Sequence, residues 1–397
     1  MGSTRICIYY ANTGGGHKSA ANAIAAGLRA MINKGLFGRA KVSIRRRSIA
    51  EKTHPANCHL INLYNHLARY HTTWIKYFYY LIHLIQPDSP LFYRFYRPFV
   101  HDMLKEDRPS IIVVVHPMLP QCLTYALEEL KIESKVKLAV VITDPNDQLW
   151  RGWGAKQADL IVAPNEAVRE KLLSWDIPGD KIKVLGMPVH PKFLSPPTLT
   201  RSRFLKKLGL SPDLFTVCIN SSWAGNEHWL ETYRALTNCK RKIQVVFLCG
   251  HNEALQQEVR IAASETGIPT AILEFHNKMP DLMNAVDLMV TKAGGLTTYE
   301  AVARRLPLVL DNTIEPMPQE APTMKMIIES GLAKALNKPE DIASIVDSMA
   351  VQSTRQTRLP DLHQLDLTDK AIFEIARSVL LLTNAEVVAQ PALKEVA

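Results

Sequence analysis

Residues 11–18 read ANTGGGHK, between the apolar stretch RICIYY and the helix-like SAANAIAAGLRAM. Glycine stabilises neither a strand nor a helix, so consecutive glycines at that junction point to a demand made by something other than folding. Gly15 and Gly16 bare backbone amides at the positive end of the following helix, which suits a ligand that must come close to the main chain. His17 follows them, and an imidazole that titrates near neutrality suits a general base or a polar ligand contact. A glycine turn carrying a surface histidine is the competing reading. The spacing is neither the dinucleotide GxGxxG nor a Walker loop.

A second glycine pair lies in LMVTKAGGLTTYEAVARRLPLVLDN. There Gly294, Gly295 and Thr297 open a helix whose amides could hold a diphosphate, and Glu300 stands one turn inside, placed to accept hydrogen bonds from a ribose. A glutamate at that position also serves as a plain helix-dipole residue, so the glycines and the acid are informative as a set. After the next strand, Gln319 and Glu320 sit in DNTIEPMPQEAPTMKMI, on a loop at the sheet edge where open α/β sheets bind ligands. A solvated polar turn is the alternative. Weaker candidates follow other strands: His116 in HPMLPQ, Asp144 in TDPNDQLWRGW, and Ser221 and Ser222 in NSSWAGNEHW. The first two serve equally as caps or turn residues, and the serines could contact phosphate oxygens. The chain shows no GxSxG elbow, no HExxH and no carboxylate pair spaced for glycosidic hydrolysis.

The elements that must position these residues are legible as a rhythm. RICIYY, SIIVVVH, KLAVVITD, LIVAP, KIKVLG, FTVCINS, QVVFLCG, AILEF, LMVTKA and PLVLDN are short apolar runs separated by helical patterns. Runs without polar alternation belong to strands buried on both faces, hence parallel sheets covered by helices. The expected class is α/β, with two doubly wound, Rossmann-like parallel-sheet domains and a cleft between them. The break falls at LSPPTLTRS, residues 194–202, where prolines and small polar residues suit a linker. The expected boundaries are 1–193, 203–350, and a C-terminal segment 351–397 made of one helix over TDKAIFEIARSVLLLT and a patternless tail. The helix should bury Ile372, Ile375, Ala376 and Val379.

Two domains fit a chain of 397 residues. With 47% hydrophobic and 21% charged residues it is of ordinary globular composition, which excludes a largely disordered chain. Six scattered cysteines without metal-ligand spacing read as buried free thiols of a reducing compartment, and no metal is expected. No secretory signal is visible at the N-terminus. The net charge of +9 favours an anionic partner. Nucleic acid is the weakest candidate, because no zinc-finger spacing, RNP-like strand or long basic helix accompanies the charge.

Residues 64–99 stand apart, holding twelve of the chain's 29 aromatic residues interleaved with Arg69, Lys76, Arg94 and Arg97. Their longest apolar run, YFYYLIHLI, is about half of what a bilayer-spanning helix needs. A segment lying in the headgroup plane and a core helical hairpin are both compatible with that pattern.

ANTGGGHKSAANAI, KEDRPSIIVVVHPML, KIKVLGMPVHPKF, VVFLCGHNEAL, FHNKMPDLMNAVDLMVTKAGGLTTYEA and the PxQE loop resemble, in order, motifs of the diacylglycerol glycosyltransferases. These are the monogalactosyldiacylglycerol synthases and the processive diacylglycerol glucosyltransferases of glycosyltransferase family 28. The resemblance runs from about residue 5 to about residue 340 and implies a GT-B architecture, with the lipid acceptor on the first domain and the UDP-sugar on the second. It would place His17 by the acceptor hydroxyl, with Asp144 as second candidate for the base, and the stretch around His276 along the uracil. Gly294, Gly295 and Thr297 would face the diphosphate, Glu300 the ribose, and Gln319 with Glu320 the hexose hydroxyls. The implied reaction is inverting transfer of glucose or galactose from UDP-hexose to diacylglycerol without a cofactor, on the cytoplasmic, inner face of a membrane, with residues 64–99 docking to anionic lipid. A polyprenyl-linked or soluble acceptor, epimerisation of a UDP-sugar, and a nucleotide-sugar sensor without turnover are the alternatives. The chain departs from the family's common KPGG at Lys292-Ala293-Gly294-Gly295 and from PGQE at Met317-Pro318-Gln319-Glu320. NSSWAGNEHW is also poorer in glycine than the usual loop.

Overall fold

Ten of the apolar runs become strands, and two further strands complete the sheets. The computed structural model describes residues 4–13, 15–35, 41–49, 55–70, 74, 77, 80–81, 89–222, 228–317, 320–351 and 370–383. Gln319, residues 223–227 and the tail beyond 383 lie outside the described residues.

The described chain divides into two units, one of residues 1–65, 74–191 and 365–397, the other of 66–73 and 192–364. In the first unit the strands are β1 (Thr4–Tyr10), β2 (Val42–Ser48), β3 (Ile111–Val114), β4 (Lys137–Val141), β5 (Leu160–Ala163) and β6 (Ile182–Val184). They form one sheet in the order β2-β1-β3-β4-β5-β6, with every pairing parallel. In the second unit β7 (Phe215–Asn220), β8 (Ile243–Leu248), β9 (Thr270–Leu273), β10 (Leu288–Thr291), β11 (Leu308–Asp311) and β12 (Ala333–Leu336) pair in the order β12-β11-β10-β7-β8-β9, again all parallel.

These orders decide where ligands can bind. The chain winds outward from β1 and then returns to place β3 on the other side of it, so the order reverses between β1 and β3. In the second sheet it reverses between β7 and β10. At such switch points the loops leaving adjacent strands diverge and open a crevice outside the carboxyl ends. The glycine-rich motifs follow β1 and β10, so each lies at the switch point of its own sheet.

The core of the first unit gathers Tyr9, Ile112, Val114, Leu123, Val140, Trp153 and Ile161, all fully buried or nearly so. That of the second holds Val217, Tyr233, Val245, Phe247, Leu288 and Val309. The helix Ala371–Leu380 buries Ile372, Ile375, Ala376 and Val379, the stripe its sequence displays. It packs against the helix Gly16–Asn33 of the first unit at Gly27, where a Cβ would stand 2.9 Å from Ile372 Cγ1. Glycine there is a matter of close approach.

Helix Pro90–Asp107 carries the C-terminal part of the aromatic segment, and its residues separate by face. Tyr93, Tyr96, Val100, Met103 and Leu104 enter the first unit's core, whereas Leu91 and Phe95 are exposed. Trp74, Tyr77, Tyr80 and Leu81 are exposed too, Trp74 to 64%. The two readings of the segment are therefore divided between residues: part of it is core and part of it is apolar surface. Arg97 is not a free cation, because it is ion-paired with Glu129, its Nε donating to Oε2 at 2.9 Å. The C-terminal end of this helix is anchored by fully buried Asp107, which accepts from Tyr9 Oη at 2.9 Å and pairs with Arg45 and Arg47 of β2. Among the described residues no helix is long and apolar enough to cross a membrane.

Candidate active site

In the first unit, β1 ends at Tyr10 and the helix begins at Gly16. Gly15 caps that helix at φ 85°, a left-handed conformation that glycine adopts without steric cost. No acidic residue occupies the first helical turn and no side chain caps it, so its amides keep their positive end for another partner. A Cβ built on Gly15 or Gly16 meets nothing within 4 Å, so open space lies before both.

His17 turns back over the end of β3. Its Nδ1 lies 2.7 Å from the Val115 carbonyl oxygen and 3.2 Å from Thr143 Oγ1. A carbonyl only accepts, so Nδ1 carries the proton and Nε2 presents a lone pair. Among the described residues Nε2 has no hydrogen-bond partner. Burial lowers the pKa of His17 below its ordinary value, while the Asp144 charge and the Val115 carbonyl oppose that shift. The imidazole is thus neutral, oriented, and basic at one defined nitrogen.

His116 meets it edge to face, ring centroids 4.5 Å apart. The Met118 amide donates to His116 Nδ1 at 3.2 Å, so Nε2 bears its proton and donates to Thr13 Oγ1 at 3.0 Å. Burial holds His116 well below the usual imidazole range, and a proton on His17 would push it lower still. Of the two rings, His116 is saturated and His17 is not. Asp144 accepts from Trp153 Nε1 at 2.7 Å and acts on His17 by its charge. Trp153 is fully buried, and a side chain on neighbouring Gly152 would collide with the Pro117 carbonyl, so the segment 151–154 is pressed tightly onto the loop after β3.

The second unit builds its half around the turn after β10. Gly294 caps the helix Gly295–Ala303 in an extended conformation, again without side-chain cap or acidic first turn. Thr298 is committed to the Gly294 carbonyl at 2.8 Å, whereas the half-buried Thr297 carries no such bond. Glu300 is desolvated, and burial pushes its carboxyl up to about 8 despite the opposing charge of Lys192. Lys292, the residue before the glycine turn, reaches Glu320 Oε1 at 2.6 Å. The lysine of the KAGG departure therefore ties the glycine turn to the PxQE loop, a link that its spacing in sequence does not display.

The remaining candidates fall less simply. Ser221 is buried with its hydroxyl donated to the Leu248 carbonyl, so its oxygen ties β7 to β8 and is turned away from the switch point. Ser222 is half-buried at φ 71° beside it. His276 packs edge-on against Phe204 at 5.9 Å, with buried Nε2 unpaired and its pKa lowered by burial. Sequence reasoning missed one pair: His228 Nε2 lies 2.9 Å from Asp311 Oδ2. Nothing in the linear spacing, 83 residues, announces it.

The model of the monogalactosyldiacylglycerol (MGDG) synthase family matches residues 17–189, and that of the glycosyltransferase family 28 C-terminal domain matches residues 219–310. The chain is a glycosyltransferase, similar over most of its length to the monogalactosyldiacylglycerol synthases. It is similar to monogalactosyldiacylglycerol synthase 1, chloroplastic, of Arabidopsis thaliana, 27% identical over 94% of this chain and 70% of the relative. A probable monogalactosyldiacylglycerol synthase of Nicotiana tabacum is 29% identical over 89% of this chain and 68% of its own length. Among solved structures, MurG of Acinetobacter baumannii superimposes with a TM-score of 0.55 at 13% identity, over 95% of this chain and 99% of that one. A UDP-GlcNAc 2-epimerase of Neisseria meningitidis, solved bound to UDP-GlcNAc, gives 0.58 at 11% identity, over 95% and 100%. At those identities the likeness establishes the fold of this glycosyltransferase, which is GT-B.

Proposed function

We propose that this glycosyltransferase moves a hexose, glucose or galactose, from UDP-hexose to the free hydroxyl of diacylglycerol, with inversion at the anomeric carbon. The observation that carries the reading is the tautomer of His17. With Nδ1–H donated to Val115, Nε2 is left without a partner among the described residues, at the switch point of the first sheet. The acceptor O–H gives its proton to Nε2 as its oxygen attacks the anomeric carbon. The bond from that carbon to the UDP oxygen breaks, and UDP leaves with the electron pair. Charge growing on the diphosphate is stabilised by the uncapped amides of Gly295–Ala303, so the reading calls for no metal.

In this reading Glu300 holds the ribose, Thr297 and the glycines of the turn the diphosphate, and Glu320, steadied by Lys292, the hexose hydroxyls together with Gln319. The names of the plant relatives support a galactolipid product, and the nucleotide bound by the Neisseria fold neighbour supports a UDP-linked donor. The exposed aromatics Trp74, Tyr77, Tyr80 and Phe95 suit the headgroup zone of an anionic membrane, where a peripheral enzyme at its inner face would meet an acceptor that never leaves the bilayer.

The test is UDP release. Purified protein with UDP-galactose or UDP-glucose should liberate UDP when diacylglycerol vesicles are added, and not when a soluble alcohol or a polyprenyl-linked sugar replaces them. Release that is independent of diacylglycerol overturns the acceptor assignment.

A further inference from the structure

We propose that His228, oriented by its hydrogen bond to Asp311, donates from its other ring nitrogen to the diphosphate of the sugar nucleotide when that anion binds. The proposal rests on the reading of the second unit as the donor half and adds a residue to which neither the family motifs nor the glycine turn assigns a role.

The pair spans the switch point. In the sheet β11 and β7 flank β10, so their carboxyl ends stand about 10 Å apart with the end of β10 between them. Asp311 closes β11, and His228 stands at the end of the loop that leaves β7. Their 2.9 Å hydrogen bond therefore joins the residues that follow the two neighbours of β10, the strand that runs into Lys292, Ala293, Gly294 and Gly295. The end of β7 is held to that of β10 by Asn220 Nδ2, which donates to Thr291 Oγ1 at 3.2 Å. Strand order thus brings the imidazole to the carboxyl edge of the sheet, the edge at which the turn after β10 opens the helix Gly295–Ala303.

The chemistry of the pair favours an anion as the third partner. Asp311 is 7% exposed, and both its oxygens are engaged. Oδ1 accepts from the Thr313 amide at 3.1 Å and from the Thr313 hydroxyl at 2.7 Å, and Oδ2 faces His228. A buried carboxylate stabilises an imidazolium and fixes its orientation. The His228 ring lies against the buried Trp229 ring, centroids 4.7 Å apart, which sets its plane. Nε2 is committed to Asp311, and among the described residues Nδ1 has no hydrogen-bond partner. The lysine beside the turn, Lys292, is engaged by Glu320. His228 adds an imidazole after β7, where the sequence NSSWAGNEHW has a single glycine.

The test compares two ligands that differ only in the diphosphate. Uridine and UDP affinities are measured by calorimetry on the full chain, for wild type, His228→Gln and Asp311→Asn. Glutamine keeps a side-chain N–H for Asp311 and loses the positive charge. UDP affinity should fall about 10-fold or more in His228→Gln while uridine affinity stays within twofold, and Asp311→Asn should fall in between. Thermal unfolding of His228→Gln close to that of wild type confirms that the variant reports on the ligand. Unchanged UDP affinity, or an equal loss for both ligands, overturns the assignment of His228 and leaves the donor half standing. Wild type that binds neither ligand overturns the donor half itself, and the proposal with it.

Discussion

The rings of His17 and His116 meet edge to face at 4.5 Å, yet their hydrogen bonds give them opposite tautomers. His116 has one nitrogen accepting from Met118 and the other donating to Thr13, so nothing remains to take a proton. His17 spends only Nδ1. Replacing His17 by alanine should lower kcat roughly 100-fold or more while UDP affinity is nearly unchanged, since the proposed donor site is in the other unit. Near-normal turnover would return His17 to the role of a surface residue beside a glycine turn.

The pH dependence follows from the same geometry. A general base works in its neutral form, so kcat/KM should fall as pH drops through the pKa of His17, and burial sets that pKa below the ordinary 6.5. The Asp144 charge opposes the shift, so Asp144→Asn, which can still accept from Trp153, should move the acidic limb to lower pH. A limb that moves to higher pH in this variant contradicts the assignment.

Glu300 links pH to both stability and binding. Its carboxyl is pushed up to about 8, above its unfolded value of 4.5. The folded state therefore holds a proton that the unfolded state releases, so the contribution is complete below 4.5 and is lost as pH rises through about 8. Stability should decline across that window in wild type and decline less in Glu300→Gln. If ribose hydroxyls donate to the carboxylate, UDP binding at pH 7 should release a proton, seen as a calorimetric enthalpy that depends on the buffer, and Glu300→Gln should abolish the release.

The anchor of the aromatic helix is a buried charge. Asp107→Ala leaves Arg47 and Tyr9 facing a cavity where a carboxylate stood, and should destabilise the protein by on the order of 3 kcal/mol. Chemical denaturation would read this as a lower midpoint. An unchanged midpoint would mean that solvent replaces the carboxylate at no cost.

Membrane docking assigns the exposed aromatics a measurable task. Wild type should co-sediment with vesicles containing anionic lipid, less so as salt rises, and Trp74→Ala with Phe95→Ala should reduce binding while UDP affinity is kept. Arg97 is a poor choice for such a test, because reversing its charge would also break the pair with Glu129. Equal sedimentation of wild type and the double variant would leave the patch without a lipid partner.

Much of this was legible in the sequence, for physical reasons. Ten strands announced themselves because a parallel sheet buries both faces, whereas β2 and β12 did not. Each is an edge strand interrupted by exposed charge, Arg45 and Arg46 in VSIRRRS and Lys334 in AKAL. The two glycine runs singled out in the sequence each prove to follow a strand at the switch point of its sheet. The hydrogen bonds that give the residues their roles were not legible. His17 to Val115, Lys292 to Glu320 and His228 to Asp311 join residues 98, 28 and 83 positions apart, and only the strand order brings them together. Ser221 shows the converse: its position after β7 suggested a phosphate contact, and a neighbouring strand claimed its hydroxyl.

The most direct test of hexosyl transfer to diacylglycerol is identification of the lipid product. Vesicles holding diacylglycerol labelled in its glycerol backbone would be incubated with the protein and UDP-galactose or UDP-glucose, and the extracted lipid analysed by mass spectrometry and by NMR of the anomeric proton. A labelled glycolipid heavier by one or more hexose units, with a β linkage formed from the α-linked donor, is the predicted result. Labelled diacylglycerol recovered unchanged while either UDP-sugar is consumed would contradict it.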